Sequence, residues 1–244
     1  MDQHDPTAYG RRIADEYDEH YEGYWDTEGT VARLAELAGP GPVLELGVGT
    51  GRLALPLADH GVEVHGLDSS EDMLQRLRLK PGAERLTLWT GDFTTIDVPG
   101  TFSLVVLAIN TIFALPDQDA QVQCFVSAGR RLGPGGRFAV EAWIPQLERF
   151  TTGSAVSVRI LREDRVSLDV ARLDPVNQRM ETTQVSFTDG DVRLYPANHR
   201  YAWPSELDLM ARLAGMELET RHEDWRQTPF TAHSTTHVSV YRKP

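Results

Sequence analysis

The sequence of 244 residues contains a single cysteine, Cys124, and little positive charge. One cysteine excludes a disulfide framework and a zinc site built from cysteines. Lysine and arginine number 24 against 36 aspartates and glutamates, which gives a net charge of −12. Nucleic-acid binding depends mostly on lysine and arginine contacts to phosphate, and anionic lipid attracts the same residues, so the charge argues against both partners.

Long hydrophobic runs are also missing. The longest apolar run near the middle, residues 104–109, is too short to span a bilayer. The N-terminus is acidic and polar, without the apolar segment typical of a secretion signal. These absences favour a cytoplasmic protein with no membrane partner. The length is sufficient for one sizeable core or for one domain with an insertion.

From Pro42 onward, short apolar runs alternate with amphipathic segments. Strands are predicted over residues 43–46, 62–67, 86–89, 104–109 and 137–143, with helices over 53–59, 71–79 and 118–132 between them. Such alternation is typical of a parallel, doubly wound sheet. We predict an α/β, Rossmann-like fold with a mostly parallel seven-stranded sheet, completed by a helix over 205–214, capped by Ser205, and strands over 216–221 and 236–241.

Two segments depart from this alternation. Tyr9, Ile13, Tyr17 and Tyr21 are spaced by four, which places them on one face of an N-terminal helix. Residues 154–203 alternate with a period of two, which predicts three or four inserted antiparallel strands. Their apolar face needs a cover, so the insertion either roofs a ligand site or pairs two subunits as a homodimer. We divide the chain into a helical cap (1–40), an α/β domain (41–145 and 204–244) and the insertion (146–203).

The first predicted strand runs into a glycine-rich loop, Glu45-Leu46-Gly47-Val48-Gly49-Thr50-Gly51-Arg52. Glycines between a strand and a helix let a ligand approach the backbone closely. The third glycine comes one position earlier than in a dinucleotide fingerprint. Asp68, at the end of the second strand, is placed to accept both hydroxyls of an adenosine ribose; its alternative role is to cap the helix that begins at Glu71.

These residues, together with Gly66-Leu67-Asp68-Ser69-Ser70, Gly91-Asp92-Phe93 and Leu132-Gly133-Pro134-Gly135-Gly136, resemble the motifs of class I S-adenosylmethionine-dependent methyltransferases over roughly residues 40–145. The resemblance implies S-adenosylmethionine as cofactor and S-adenosylhomocysteine as product. It implies that the glycine loop holds the methionine part, Asp68 the ribose and Asp92-Phe93 the adenine edge. The predicted cofactor residues are Tyr9, Tyr17, Glu45, Gly47, Gly49, Gly51, Arg52, Asp68, Ser69, Met73, Asp92, Phe93 and Ala108.

The chemistry of the cofactor agrees with this assignment. Backbone N–H groups of a glycine loop and a helix N-terminus can receive the methionine carboxylate. Met73 and Phe93 can sandwich the flat adenine while Asp92 accepts from its amino group. The alternative for Asp92-Phe93 is a surface turn before the next strand.

Motifs of other acceptor classes are missing. Amino-methyltransferases of nucleic acids carry an Asn/Asp-Pro-Pro-aromatic motif after the fourth strand, where this chain has Ile109-Asn110-Thr111-Ile112-Phe113. Metal-dependent catechol-type enzymes place carboxylates at the ends of the fourth and fifth strands, where this chain has Asn110 and Ala142-Trp143. We therefore expect a small-molecule acceptor and no metal.

The N-terminal tyrosines, the inserted strands and Glu141-Ala142-Trp143-Ile144-Pro145 resemble the antibiotic sugar N-methyltransferases. That resemblance implies that Tyr9 and Tyr17 close over the cofactor; plain helix packing is the alternative. Those enzymes have a histidine shortly after the fourth strand, where this chain has Ala114. The acceptor atom therefore stays open among a hydroxyl, an amine and an activated carbon.

Asn110, Phe113 and Trp143 lie at predicted strand ends and are expected to line the acceptor pocket. The candidate general bases are Tyr21, His199 and Glu141, each of which also has a structural interpretation. His233 and His237 have the spacing of a metal pair on a helix, but they lie in a predicted strand, where that spacing brings no ligands together.

Two functions follow from these patterns. The first is a methyltransferase acting by N- or O-methylation on a small molecule, as in secondary metabolism. The second keeps the fold and the cofactor without methyl transfer, as a cyclase-like enzyme or a non-catalytic subunit, because a fold does not fix a function. A nicotinamide-dependent oxidoreductase is a weaker third hypothesis.

Overall fold

The computed structural model describes residues 7–14, 17–18, 25–188 and 190–244. In chain order the strands are β1 (Val43–Leu46), β2 (Val64–Asp68), β3 (Thr87–Thr90), β4 (Phe102–Leu107), β5 (Leu132–Trp143), β6 (Ser154–Leu161), β7 (Arg165–Asp174), β8 (Arg179–Thr188), β9 (Asp191–Arg200), β10 (Glu217–His222) and β11 (Thr236–Arg242). The helices are α1 (Ala8–Ile13), α2 (Thr27–Ala38), α3 (Ala54–Asp59), α4 (Glu71–Arg78), α5 (Gln118–Arg131) and α6 (Pro204–Leu213). Single 3-10 turns occupy Ala83–Arg85, Thr111–Ala114 and Leu147–Arg149.

Seven strands form sheet A in the order β10-β11-β5-β4-β1-β2-β3. Strands β1 to β5 pair in parallel, and β11 runs antiparallel to both β5 and β10. The strand order reverses between β1 and β4, and in such sheets ligands bind in the crevice outside the carboxyl ends at that point. The predicted α/β fold is confirmed.

Helices cover sheet A on both faces, and β4 shows the consequence most clearly. Leu104 and Val106 pack into the core on one face, with α2 and α3. Val105 and Leu107 pack into the core on the other face, with α5 and α6. Successive side chains point to opposite faces of a strand, so a strand covered on both sides is apolar throughout.

The inserted segment folds into sheet B, with the antiparallel order β6-β7-β8-β9. Its outer face is apolar and exposed, formed by Val156, Val158, Leu161, Val170, Phe187, Val192 and Leu194. Its inner face is turned toward the α/β domain: Tyr195 packs beside Ile13, Ala14 and Met73. Helix α1 also lies at this junction and packs closely against the start of α4. A Cβ on Gly10 of α1 would come within 2.2 Å of Ser70 Oγ, so only glycine fits there.

Several predicted boundaries were shifted by one or two residues, as for β2 and β4, and two further boundaries were wrong for an identifiable reason. Helix α6 begins at Pro204 with Trp203 at its N-cap, rather than being capped by Ser205; proline is favoured at the first helical position, where no N–H is required. Strand β5 begins at Leu132, five residues early: Leu132 pairs with Phe102 and Arg137 with Leu104, so the intervening glycines and proline bulge within the strand. Among the described residues, no helix is both long enough and apolar enough to cross a membrane.

Candidate functional site

The glycine loop follows β1 at the reversal of strand order. Gly47, Gly49 and Gly51 have φ of +73°, +54° and +85°, in the region that favours glycine. A Cβ on Gly47 would lie 2.9 Å from Thr111 Cγ2, whereas a Cβ on Gly49 would meet no atom within 4 Å. The backbone at Gly49 is therefore open to a ligand.

Asp68 ties the end of β2 to this loop. Its Oδ2 accepts the Gly49 N–H at 2.8 Å and its Oδ1 accepts the Ser70 N–H at 2.8 Å. Burial raises the Asp68 pKa, while these backbone hydrogen bonds oppose the shift. Ser70, rather than Asp68, caps α4 by accepting the Met73 N–H. The carboxylate also accepts the Ser69 N–H, and the lone pairs that remain can take a ligand hydroxyl.

Beside the loop, Glu45 is buried and Arg52 is half-buried. Burial raises the pKa of Glu45 to about 8, against the opposing charge of Arg52. Burial also lowers the pKa of Arg52. Arg52 donates to Thr27 Oγ1 at 3.1 Å, and its guanidinium lies 5.0 Å from the centre of the Trp25 ring. This arrangement holds a positive charge beside the loop, suited to a carboxylate ligand.

The residues predicted to hold adenine belong to two different clusters. Met73 is buried against Ile13 of the N-terminal helix, and Phe93 packs on the main core under sheet A. Asp92 is exposed, and its Oδ1 accepts the Thr94 N–H at 2.7 Å, so the segment also forms the surface turn considered as its alternative. Ser69 is half-buried directly after Asp68.

The turn after β4 connects the ends of β4 and β5. Ile109 and Asn110 have φ of +48° and +60°, a conformation that strains a β-branched isoleucine. Glu141 Oε2 accepts the Ile109 N–H at 2.9 Å, and Asn110 Oδ1 accepts the Trp143 N–H at 2.7 Å. Ala108 is buried at the start of the turn. The Glu141 carboxylate thus supports the turn.

The residues predicted to line the acceptor pocket meet in one aromatic cluster. Phe113 is fully buried and packs edge-on against Trp143, with ring centres 4.7 Å apart. Trp143 is half-buried, and its ring centre also lies 6.2 Å from that of Tyr201 and 6.4 Å from that of His199. Trp143 therefore presents the accessible surface, with Phe113 behind it.

His199 reaches this cluster from strand β9 of the insertion. Its Nε2 lies 3.3 Å from Thr182 Oγ1. Burial lowers the His199 pKa to about 4, so the ring is neutral at neutral pH. Among the other candidates, Tyr21 lies outside the described residues, as does the side chain of Tyr9, and Tyr17 packs beside Ile13 and Met73.

A contact that the sequence did not predict fastens the N-terminal segment to the loop. Asp18 Oδ1 accepts the Thr50 hydroxyl at 2.7 Å, and Asp18 Oδ2 pairs with Lys80 Nζ at 2.6 Å. Lys80 also donates to the Thr50 carbonyl oxygen at 2.7 Å. We call these three residues the Asp18 latch. They are far apart in sequence, as are Trp25 and Thr27 from Arg52, and no local pattern identifies such contacts.

His233 and His237 differ in their surroundings. His233 is exposed, while His237 is buried and shares a hydrogen bond of 2.8 Å between Nδ1 and Ser239 Oγ. Within the described part of the chain, no three His, Cys, Asp or Glu side chains are grouped to hold a metal ion.

Comparison with known sequences gives a family match over this site. The family sequence model described as "Methyltransferase domain" matches residues 43–136, which include the glycine loop and Asp68. The curated "Cypemycin N-terminal methyltransferase" from a Streptomyces species is 29% identical over 207 residues, covering 82% of each chain. The hypothesis of cofactor binding without methyl transfer receives no support from these matches.

Solved structures match almost the whole chain. The CcbJ methyltransferase from Streptomyces caelestis is 42% identical, with a TM-score of 0.91 over 98% of this chain and 99% of its own. The amino pentose methyltransferase CalS10 from Micromonospora echinaspora, solved with bound S-adenosylmethionine, is 23% identical, with a TM-score of 0.71 over 93% of this chain and 96% of its own. The second likeness concerns the fold alone.

Proposed function

This chain belongs to the S-adenosylmethionine-dependent methyltransferases, and on that premise we propose that it methylates a nitrogen atom of a small-molecule acceptor. The observation that carries the proposal is the low basicity of His199, the ring that lies beside Trp143. Removing a proton from a hydroxyl requires a base whose pKa is near the working pH. Burial lowers the His199 pKa to about 4, which makes it too weak for that step. A neutral amine needs no base when the N–C bond forms.

Two further features support an amine. The relative that is 29% identical carries methylation of an N-terminus, an amino group, in its name. The half-exposed indole of Trp143 offers an aromatic face, and aromatic faces attract the positive charge that an amine acquires on methylation.

For the cofactor, we propose that the methionine part lies against the open backbone at Gly49 and that the Arg52 guanidinium receives its carboxylate. Asp68 accepts from the ribose with the lone pairs that its backbone partners, Gly49, Ser69 and Ser70, leave free. Phe93 and Met73 border the adenine. Bound there, the cofactor supplies a methyl group on a sulfonium, which an acceptor lone pair attacks in line. The chain's contribution is to hold the two reactants in line and away from water.

The test is a panel of primary and secondary amines, each paired with the alcohol of the same skeleton. Purified protein is incubated with S-adenosylmethionine and each compound, and released S-adenosylhomocysteine is measured. We expect turnover with amines and none with the paired alcohols. Turnover of an alcohol without its amine would refute N-methylation. At S-adenosylmethionine concentrations below saturation, Asp68→Ala should lower turnover in the same assay, and Asp97→Ala, which changes an exposed carboxylate, should not.

We further propose that the outer face of sheet B pairs two copies of this chain. That face carries seven exposed large apolar side chains and no covering element among the described residues. Apolar sheet faces are commonly covered by a second sheet. A twofold axis lets one face cover its own copy, which requires no other partner.

A further inference from the structure

His199 lies where sheet B meets the carboxyl edge of sheet A. Strand β9 borders the 3-10 turn after β4, and the His199 ring contacts Trp143 edge-on. The buried Gln121 amide fixes this junction by donating to the carbonyl oxygens of Ile112, at 3.0 Å, and Arg200, at 2.8 Å. The backbone next to His199 is therefore held in place relative to the turn that carries Phe113.

Thr182, on the neighbouring strand β8, lies within hydrogen-bond distance of the His199 ring, and its second hydrogen bond indicates which ring nitrogen carries the proton. The Thr182 hydroxyl donates its one hydrogen to the carbonyl oxygen of Ala197 at 3.2 Å. The Thr182 hydroxyl oxygen also lies 3.3 Å from His199 Nε2. Because the hydroxyl hydrogen is already donated to Ala197, this oxygen accepts in its contact with Nε2. Nε2 is therefore the protonated nitrogen, and Nδ1 keeps its lone pair, since a neutral imidazole has one N–H.

No hydrogen-bond donor among the described residues faces the Nδ1 lone pair. The Nδ1 atom is covered, whereas the His199 residue as a whole is half-buried beside Trp143, so a ligand reaches Nδ1 only after the groups that cover it shift. Buried acceptors without a donor are rare in native proteins and are unfavourable. Nε2 points to Thr182 on β8, so the Nδ1 lone pair points away from β8, and β9 is the edge strand that borders the turn after β4.

We propose that Thr182 is a positioning residue that holds His199 with its Nδ1 lone pair free, and that Nδ1 accepts a hydrogen bond from the N–H of the acceptor amine. The inference rests on the proposed N-methylation. The hydrogen bond orients the amine so that the nitrogen's own lone pair faces the methyl group. The N–C bond forms as the C–S bond breaks, the C–S electron pair stays on sulfur, and the ammonium product keeps its proton until release.

A consequence of this hydrogen bond is selectivity among amines. A primary or secondary amine has an N–H for Nδ1, whereas a tertiary amine has none. A site built to receive a donor rejects an analogue that lacks it, because the site's own polar atom is then left unpaired.

The first measurement needs no acceptor. Long-range 1H–15N NMR of the imidazoles distinguishes the two tautomers, and the His199→Gln spectrum identifies the His199 signals among those of the 8 histidines. We expect the Nε2–H tautomer in the wild type and in Thr182→Ser, which keeps the hydroxyl. In Thr182→Val, which has the same shape without the hydroxyl, we expect a mixture of tautomers. An unchanged tautomer in Thr182→Val would overturn the role of Thr182.

The second measurement uses the amine that releases most S-adenosylhomocysteine in the panel. We expect Thr182→Val to lower kcat/KM for that amine about tenfold, Thr182→Ser to restore it, and the Kd of S-adenosylhomocysteine to stay unchanged. Equal kcat/KM in Thr182→Val and wild type, or an equal loss of S-adenosylhomocysteine binding, would overturn the positioning role. A panel without any turnover would refute the proposed N-methylation instead, and the tautomer spectra would still decide the role of Thr182.

Discussion

Asp68 shows how one side chain can serve both the fold and a ligand. Its two oxygens accept backbone N–H groups from the glycine loop and from the start of α4, so the carboxylate is fixed before any ligand arrives. A fixed acceptor loses less entropy on binding than a mobile one. The sequence predicted this residue because it stands at a strand end, but the backbone partners became visible only in the structure.

Replacing Asp68 should weaken cofactor binding. We expect Asp68→Ala to reduce the affinity for S-adenosylhomocysteine by about 1–3 kcal/mol, the size expected when charge-assisted hydrogen bonds are lost. Isothermal titration calorimetry measures the change, with Asp97→Ala as the control on an exposed loop. Equal affinities of Asp68→Ala and the wild type would remove Asp68 from the cofactor site.

His237 should make the stability of the fold depend on pH. Burial lowers its pKa in the folded chain to about 3, whereas an unfolded chain binds the proton near 6.5. Below pH 6.5 the His237 imidazole binds a proton in the unfolded state but stays neutral in the folded state. His237 therefore lowers the free energy of unfolding as the pH falls. Between pH 7.5 and 5 the loss amounts to about 2 kcal/mol.

This loss can be isolated by substitution. We expect urea unfolding of His237→Gln to show about 2 kcal/mol less destabilisation than the wild type over the same pH interval. His60→Gln, which changes an exposed histidine, should keep the wild-type dependence. Parallel pH profiles of wild type and His237→Gln would show that the buried ring gains its proton without cost.

At the scale of elements, local patterns were sufficient for every strand of sheet A but not for its irregularities. Strand β4 was predictable because a strand covered on both faces is apolar at consecutive positions. The early start of β5 at Leu132 was not, because it depends on Phe102 as a pairing partner some thirty residues away. The left-handed Ile109 is likewise held by Glu141 of another strand.

The Asp18 latch is an element-level contact whose loss should be measurable. It joins the N-terminal segment to the glycine loop through Lys80, which lies two residues after the end of α4. We expect Lys80→Ala to speed the dissociation of S-adenosylhomocysteine by about twofold to fivefold, the range for a partly exposed ion pair. Stopped-flow displacement measures the rate.

Arg78→Ala is the matched control for the latch. It removes an ion pair with Glu71 on the same helix, away from Asp18 and Thr50. Its dissociation rate should equal that of the wild type. A Lys80→Ala rate no faster than the Arg78→Ala rate would mean that the latch does not retain the ligand.

At the scale of the whole molecule, the site depends on contacts between distant segments, and this limits prediction from sequence. The motif residues of the cofactor side stand within one stretch, so their order and spacing identified them. His199 was a candidate only as one histidine of the insertion, and Thr182 was not a candidate at all. Its importance comes from the pairing of β8 with β9, which places Ala197 opposite it.

Self-association should depend on the outer face of sheet B. We expect the wild type to sediment as a dimer at micromolar concentration and Val158→Lys combined with Leu194→Lys to sediment as a monomer, because burying unpaired charges in an apolar interface is unfavourable. Val176→Lys, on a side chain that is 88% exposed in the turn between β7 and β8, is the control. A monomeric wild type at these concentrations would refute the pairing.

Helix α1 contacts both α4 and β9, so one short segment borders the cofactor side and the acceptor side at once. A segment in that position must be displaced to admit the larger ligand before it can settle beside the smaller one. We therefore expect a compulsory order of events, in which the nucleoside enters first and leaves last. In steady-state kinetics, S-adenosylhomocysteine would then inhibit competitively toward S-adenosylmethionine and noncompetitively toward the acceptor.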